Sequence, residues 1–197
     1  MSDVADHIET DTRERILTVA ERLFREIGYQ KTTVADIARE LRMSPANVYR
    51  FFDSKKSINA GVAKRLMTEV EDASARIAER KDDPVERLRQ LLTSVHRMNA
   101  DRYVADAKMH DMVAAAMEEN WDVCKTHMEC IVAMIAAVIA DGVASGHFRA
   151  VDPAVAAQCV CAAMVKFFHP MLIAENATKP GATLEQMIEF VIAALRA

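Results

Sequence analysis

TTVADIARELRMSPANVYRFFDSKKSI, residues 32–58, is the stretch on which the reading of the whole chain turns. Thr33 is placed to cap a short helix whose inner side carries Ile37, Ala38 and Leu41, its hydroxyl satisfying an otherwise unpaired N–H. Ser44 is placed to cap a second helix, with Pro45 at the first helical position, where its missing N–H costs nothing. Only Leu41 to Met43 separate the two. So short a link prevents antiparallel packing, so the helices must cross steeply, and Ala38 lets them approach. That spacing predicts a helix-turn-helix, whose second helix enters a DNA major groove. Asn47, Tyr49 and Arg50 then project from the second helix as groups able to reach base edges or phosphates. The competing reading is two ordinary packed helices, because the same geometry occurs without DNA binding.

Working outward, the rest of the chain also reads as helix. Residues 1–10 form a polar stretch expected to be a tail. Asp11-x-x-Glu14 resembles a capping box, and Ile16, Leu17, Ala20, Leu23, Phe24 and Ile27 follow at helical spacing up to the stop at Gly28. Ser54 opens a long helix with Ile58, Val62, Leu66 and Val70 on its apolar face, ended by Glu79-Arg80-Lys81-Asp82. Asp83-Pro84 opens the next, and a break is expected at Asn99 to Arg102, before a short helix through Met112. A long helix is expected from about Met117 to Val143, another from Asp152-Pro153 to Phe168, and a last one capped by Thr183-x-x-Gln186. Strand alternation is absent, so the expectation is an all-α protein of about nine helices. It divides into a DNA-binding part at 1–60 and a larger helical part at 61–197.

Composition sets limits. The 197 residues are 51% hydrophobic and 27% charged with five Gly and five Pro, which suits a folded helical chain. The acidic start Met1-Ser2-Asp3 lacks the character of a signal peptide. The most apolar stretch, Ile131 to Ala140, is too short to span a bilayer. A cytoplasmic location is expected. Cys124, Cys130, Cys159 and Cys161 form no CxxC pair and read as small buried hydrophobes. The net charge of −4 conceals a local reversal, because residues 31–65 carry eight basic and three acidic groups. A basic window inside an acidic chain suits a local polyanion contact, although solvated helix faces can look the same.

Gly28-Tyr29, Thr32-Thr33-Val34-x-Asp36-Ile37-Ala38 and Ser44-x-x-Asn47-Val48-Tyr49-x-x-Phe52-x-x-Lys55 resemble, in order and spacing, the helix-turn-helix signature of the tetracycline-repressor (TetR) family. The resemblance covers roughly residues 12–60. Beyond that it rests on helix count and on Gly146-x-Phe148-x-x-x-Asp152-Pro153. It implies that Thr33 places its hydroxyl and a helix N-terminus on a phosphate, and that Ser44, Pro45, Ala46 and Asn47 lie nearest the bases. It further implies that Tyr49 meets the DNA backbone and Lys55 neutralises a phosphate. Arg50 is assigned to base or phosphate from its expected exposure and its charge. Two positions depart from the family pattern. Phe51 replaces a His or Tyr and loses a backbone hydrogen bond, while Arg42 stands where Gly is common, so a left-handed backbone there would cost about 1 kcal/mol but adds a cation near phosphate.

For the larger part the resemblance implies effector binding and dimerisation through the last two helices. Ala156 and Ala163 would permit close approach, with Leu184, Ile188, Val191 and Leu195 as the apolar seam. Two heads about 34 Å apart would then read a palindromic operator, and the family's usual mode is repression relieved by a small-molecule effector. Met109, Met112, Trp121, Met128, Phe167 and Phe168 are candidates for an adaptable apolar effector pocket, with core packing as the alternative. Cys124, His127 and Met128, at i, i+3 and i+4, suggest a weaker alternative of a soft-metal site. That would make the chain a metal-responsive regulator, or a helical metal-binding protein without DNA function. There is no nucleophile elbow, phosphate loop, HExxH pair or paired-carboxylate motif, so neither an enzyme nor a cofactor is expected.

Overall fold

A computed structural model of the chain describes residues 2–103, 107–119, 121–176, 178–179 and 181–196. Among them are eleven helices: α1 (Ser2–Ile27), α2 (Val34–Glu40), α3 (Pro45–Val48), α4 (Lys55–Ala78), α5 (Pro84–Tyr103), α6 (Ala107–Glu119), α7 (Trp121–Ala144), α8 (Pro153–Ala163), α9 (Val165–Phe168), α10 (Pro170–Asn176) and α11 (Leu184–Leu195). There is no strand among the described residues, and the one isolated bridge pairs Phe148 with Arg196. The chain is all-α, as its periodicity requires.

Several expectations about element boundaries change, and α5 runs through the break expected at Asn99 to Arg102 as far as Tyr103. Residues 2–10 are the opening turns of α1 and not a tail. The long helix expected from Met117 instead starts at Trp121, after α6 has run to Glu119. The single helix expected from Pro153 to Phe168 is interrupted at Met164, giving α8 and α9, and Pro170 opens the separate α10. The count therefore rises from nine to eleven. The break between α9 and α10 has a visible counterpart on α5. His96 Nδ1 lies 2.9 Å from the Phe167 carbonyl, and Asn99 Nδ2 donates to the Phe168 carbonyl at 2.8 Å. These bonds take up carbonyls that a continuing helix would have used.

Two compact units result. The first comprises residues 1–66 with 106–124, the second 67–105 with 125–197, so the division falls inside α4 and inside α7. In the first, Ile16, Ala20 and Phe24 of α1, Ile37 of α2, Val48 of α3 and Ile58 and Val62 of α4 are fully buried. Met109 and Met112 of α6 are buried in the same unit. In the second, Leu88, Leu91 and Leu92 of α5, Ile135, Val138 and Ile139 of α7, Ala157 and Val160 of α8, and Ile188, Val191 and Ile192 of α11 form one core. By length and composition α7 is apolar enough to cross a membrane. Its Ile135, Val138 and Ile139 are nevertheless part of this core, which gives the same run of apolar residues an ordinary structural use.

One buried charge belongs to the second unit. Arg87 is 2% exposed; its Nη1 and Nη2 donate to Asp141 Oδ2 at 2.9 and 3.0 Å, and Nη2 also reaches the Ala78 carbonyl. Leaving so buried a cation unpaired would be strongly destabilising, so the pair fixes α5 against α7. Gly142 of α7 is required by close approach, since a Cβ there would lie 2.1 Å from Phe148 Cδ2.

Candidate nucleic-acid interface

The expected helix-turn-helix is present as α2 and α3, and its turn is built by named hydrogen bonds. Leu41 closes α2; Arg42 N–H then donates to the Arg39 carbonyl at 3.1 Å and Met43 N–H to the Ala38 carbonyl at 3.0 Å. That pair of bonds is a Schellman ending, which needs a left-handed residue between its two halves. Arg42 supplies it with φ 55°. It is the only residue other than Gly with positive φ among the described residues, so the backbone cost expected from the sequence is present.

Ser44 caps α3 by accepting the Asn47 N–H at 3.2 Å, and Pro45 occupies the first turn. The helix is shorter than expected, with four residues in regular α geometry. Its winding continues, because Phe51 N–H and Phe52 N–H both donate to the Val48 carbonyl, at 3.0 and 3.2 Å. Val48 is buried and Asn47 half-buried, while Ser44, Pro45, Ala46, Tyr49 and Arg50 are exposed. Tyr49 keeps 49% of its surface in water. Such exposure of a large aromatic side chain contributes nothing to the core and suits a contact with another molecule. Behind this face, Arg13 of α1 donates to the Phe51 carbonyl at 2.7 Å and stacks 4.1 Å from the centre of the Phe52 ring.

Thr33 is more committed than the sequence suggested. Its hydroxyl donates to Asp36 Oδ2 at 2.6 Å and accepts the Asp36 N–H at 3.1 Å, while its own N–H donates to the same carboxylate at 3.0 Å. The hydrogen bonds from Thr33 hold the Asp36 carboxyl below the usual range, with Arg39 adding to the effect. A carboxylate therefore occupies the helix end proposed for a phosphate. Lys55 is committed too. Its ammonium donates to the carbonyls of Tyr29 at 3.0 Å and Gln30 at 3.3 Å, and lies 4.5 Å from the Tyr29 ring centre.

The basic window sorts itself accordingly. Arg39 pairs with Asp36 at 2.7 Å and Arg65 with Glu21. Lys31, Arg42, Arg50, Lys56 and Lys64 are exposed and have no ion pair among the described residues. Those five, with Tyr49, Asn47 and the one N–H that Lys55 keeps beyond its two carbonyls, are the groups left available for a polyanion.

The other expected sites fare differently. Of the effector candidates, Met109 and Met112 are buried in the first unit's core, whereas Phe167 is buried in the second. Phe168 is half-buried there. Trp121 and Met128 are 50% and 46% exposed. The six are not gathered around one described cavity. Only Phe167 lines one, a space of about 510 Å³ shared with His96, Ile173 and Leu184. The metal candidates have different surroundings. Cys124 is buried, its thiol pushed up by desolvation; His127 Nδ1 sits 2.7 Å from Glu71 Oε1; Met128 faces water. Among the described residues no group of three His, Cys, Asp or Glu is placed to hold a metal ion.

The expected dimer seam is also redistributed. Ile188, Val191 and Leu195 are spent inside the second unit's own core, and Leu184 packs beside it. What α8 and α11 leave outside is an apolar groove of about 420 Å³ lined by Val155, Ala156, Cys159, Ala163, Phe190 and Ala194, among others. Phe190 is 68% exposed and Val155 56%. Of the expected residues, Ala156, Ala163, Val191 and Leu195 line it. Phe190 and Val155 were missed, although a large apolar residue off the buried stripe of an amphipathic helix is a legible signal.

Residues 16–66 match the family model for bacterial regulatory proteins of the tetR family, and residues 84–187 that for the tetracyclin repressor-like C-terminal domain. The chain is 36% identical over 78 residues to the HTH-type transcriptional regulator HbdR of Aromatoleum sp. strain CIB, a stretch covering 40% of this chain and 34% of that protein. It is 46% identical over 46 residues to IcaR, the HTH-type negative transcriptional regulator of the biofilm operon icaADBC in Staphylococcus aureus, covering 23% of this chain and 25% of that one. The matched stretches thus span about a third and a quarter of those relatives. The fold resembles that of a TetR/AcrR-family regulator from Thermobifida fusca, with TM-score 0.69, 23% identity and coverage of 95% and 100% of the two chains. A TetR-family regulator from Pectobacterium atrosepticum gives TM-score 0.70 at 19% identity, covering 95% and 92%.

Proposed function

The chain belongs to the tetR family of bacterial regulatory proteins, and from that premise we propose that it acts in the cytoplasm as a homodimeric transcriptional repressor, released from a palindromic operator by a small effector. The observation that carries the DNA-binding part is the outer face of α3 and the turn before it. Asn47, Tyr49, Arg50 and Arg42 stand there together, on a helix whose opposite side is anchored by Val48.

Each has a distinct use in this reading. Asn47, nearest the helix start, reads a base edge; Tyr49 and Arg42 contact the sugar-phosphate backbone; Arg50 serves either. Residues 1–60 supply this head, and 61–197 supply dimerisation and effector binding. A second copy on the α8–α11 groove covers Phe190 and Val155, and two-fold symmetry of the protein then calls for a palindrome in the DNA. An effector acts by binding more tightly to the form of the dimer in which the two heads no longer match the operator.

The test is selection of sheared genomic fragments by the purified protein, with a Tyr49→Ala, Arg50→Ala double variant as control. Both substitutions lie on the surface, so the control folds. Enrichment of one palindromic site by the unaltered protein alone supports the proposal. Equal enrichment by the variant would remove α3 from the interface. The absence of any enriched fragment, with a folded dimer, would sink the operator reading.

A further inference from the structure

Lys55, Tyr29 and Glu119 form a chain of contacts confined to the first unit, and it bears on how a DNA-facing cation is held. Lys55 is the first residue of α4, Tyr29 lies in the turn after α1, and Glu119 ends α6. An ammonium has three N–H donors. Two of them go to the Tyr29 and Gln30 carbonyls, at 3.0 and 3.3 Å, while the charge lies 4.5 Å from the centre of the Tyr29 ring. The third N–H is what remains for a phosphate. Lys55 is therefore not a free charge on a flexible stem. Its position is dictated by the position of Tyr29.

Tyr29 is fixed in turn from its far end. The residue is 3% exposed, its ring meets Phe24 edge-on at 5.3 Å, and its hydroxyl donates to Glu119 Oε2 at 3.2 Å. Burial first, and then the Glu119 charge, push its pKa up to about 12, so it remains a neutral donor at physiological pH. A carboxylate accepting a hydrogen bond from the phenol makes the ring more electron-rich and strengthens its hold on a cation over its face. The same glutamate prevents the ring from rotating away. Helix α6 is held to the same unit elsewhere too, for example by Lys108 donating to the Glu26 carbonyl and by Asn59 Nδ2 donating to the Met112 carbonyl at 3.3 Å.

We propose that Glu119 is a positioning residue for DNA binding, acting through Tyr29 to hold the Lys55 ammonium where it meets a phosphate. The inference rests on the DNA-binding reading above. It adds a determinant on α6, far along the sequence from the helix-turn-helix, which needs no contact with DNA.

The test measures affinity against salt concentration for the wild type, Tyr29→Phe, Glu119→Ala and Lys55→Ala, on the enriched fragment and on a random-sequence duplex. Each phosphate contact contributes about 0.9 to the slope of log affinity against log salt. Tyr29→Phe keeps the ring and removes one oxygen. Like Glu119→Ala, it is expected to weaken binding to both duplexes about three- to tenfold and to lower the slope by about one, the signature of one lost phosphate contact. In combination with Lys55→Ala, Glu119→Ala should add nothing further, because both act on one contact. A structural role alone would change thermal stability without changing the slope. Unchanged slopes in folded Tyr29→Phe and Glu119→Ala, or losses that add to that of Lys55→Ala, would overturn the proposal and leave the DNA-binding reading intact. Failure of the wild type to bind either duplex would overturn that reading itself.

Discussion

Arg42 carries two opposed consequences of one backbone angle. Its φ of 55° is required by the Schellman turn, and an L side chain there costs about 1 kcal/mol. Its charge, exposed at the mouth of the helix-turn-helix, is a gain only if a polyanion is present. Arg42→Gly should therefore raise the urea midpoint of unfolding by the equivalent of about 1 kcal/mol, while weakening DNA binding on every sequence alike. If stability did not rise, the strain would have to be offset by a contact of the arginine stem. Asn47 separates from its neighbours in another way. Asn47→Ala should cost about 1–3 kcal/mol on the preferred site and relax the base choice at one position, whereas Tyr49→Ala should weaken all sequences about equally. Binding titrations on a set of single-base operator variants distinguish the two. These positions were legible in the sequence, since the spacing from Thr33 to Lys55 places Asn47 and Tyr49, and the resemblance to a family with Gly common at position 42 implied the left-handed angle. The partner of Thr33 was equally available, as an acid three residues after the cap, but the reading of Thr33 as a phosphate ligand passed over it.

Among the elements, α2 shows how a cap becomes a pH-dependent contribution. Asp36 accepts from the hydroxyl and N–H of Thr33 and pairs with Arg39, and its carboxyl is held below the usual range. A carboxyl whose folded pKa is depressed adds stability above its unfolded pKa of about 3.9, and loses it as pH falls through the folded value. Asp36→Asn should therefore be less stable than wild type at neutral pH, with the gap closing below about pH 4. Thermal unfolding across that range reads it, and a gap independent of pH would assign the effect to packing. Helix α8 teaches a different lesson. Its start at Asp152-Pro153 was legible, because the cap and the proline are adjacent in sequence. Its interruption at Met164 was not, and the carbonyls left over at the end of α9, those of Phe167 and Phe168, go to His96 and Asn99, about seventy residues earlier. A local pattern carries no record of so distant a donor. The same holds for the joining of α6 to the first unit, which depends on contacts from residues 108, 112 and 119 back to 26, 59 and 29.

At the scale of the whole molecule, periodicity identified an apolar stripe on α11 but not what covers it. Leu184, Ile188, Val191 and Leu195 recur as a dimer seam would, yet a protomer core makes the same demand, and here the core takes three of them and packs against the fourth. Val191 and Leu195 still line the groove offered to a partner, but the side chains exposed in it lie off the stripe. Phe190 is 68% exposed and Val155 56%, and they share a groove with Ala156, Cys159 and Ala194. Fully burying side chains of this size contributes about 1.5–3 kcal/mol each, and two-fold symmetry presents every such side chain twice. Phe190→Asp should therefore give a monomer with nearly unchanged thermal unfolding, because the replaced ring contributes little to its own core. Ile188→Asp, two residues away on the opposite side of the same helix, should instead unfold the protomer, because it buries an unpaired charge. Sedimentation velocity and thermal unfolding of the pair distinguish the two roles. The monomer should also lose most operator affinity, since one head holds half of the palindrome, while retaining the weak salt-dependent attraction of a single head for random duplex. A Phe190→Asp protein that stayed dimeric would move the interface away from this groove and leave its exposed aromatic ring without a partner.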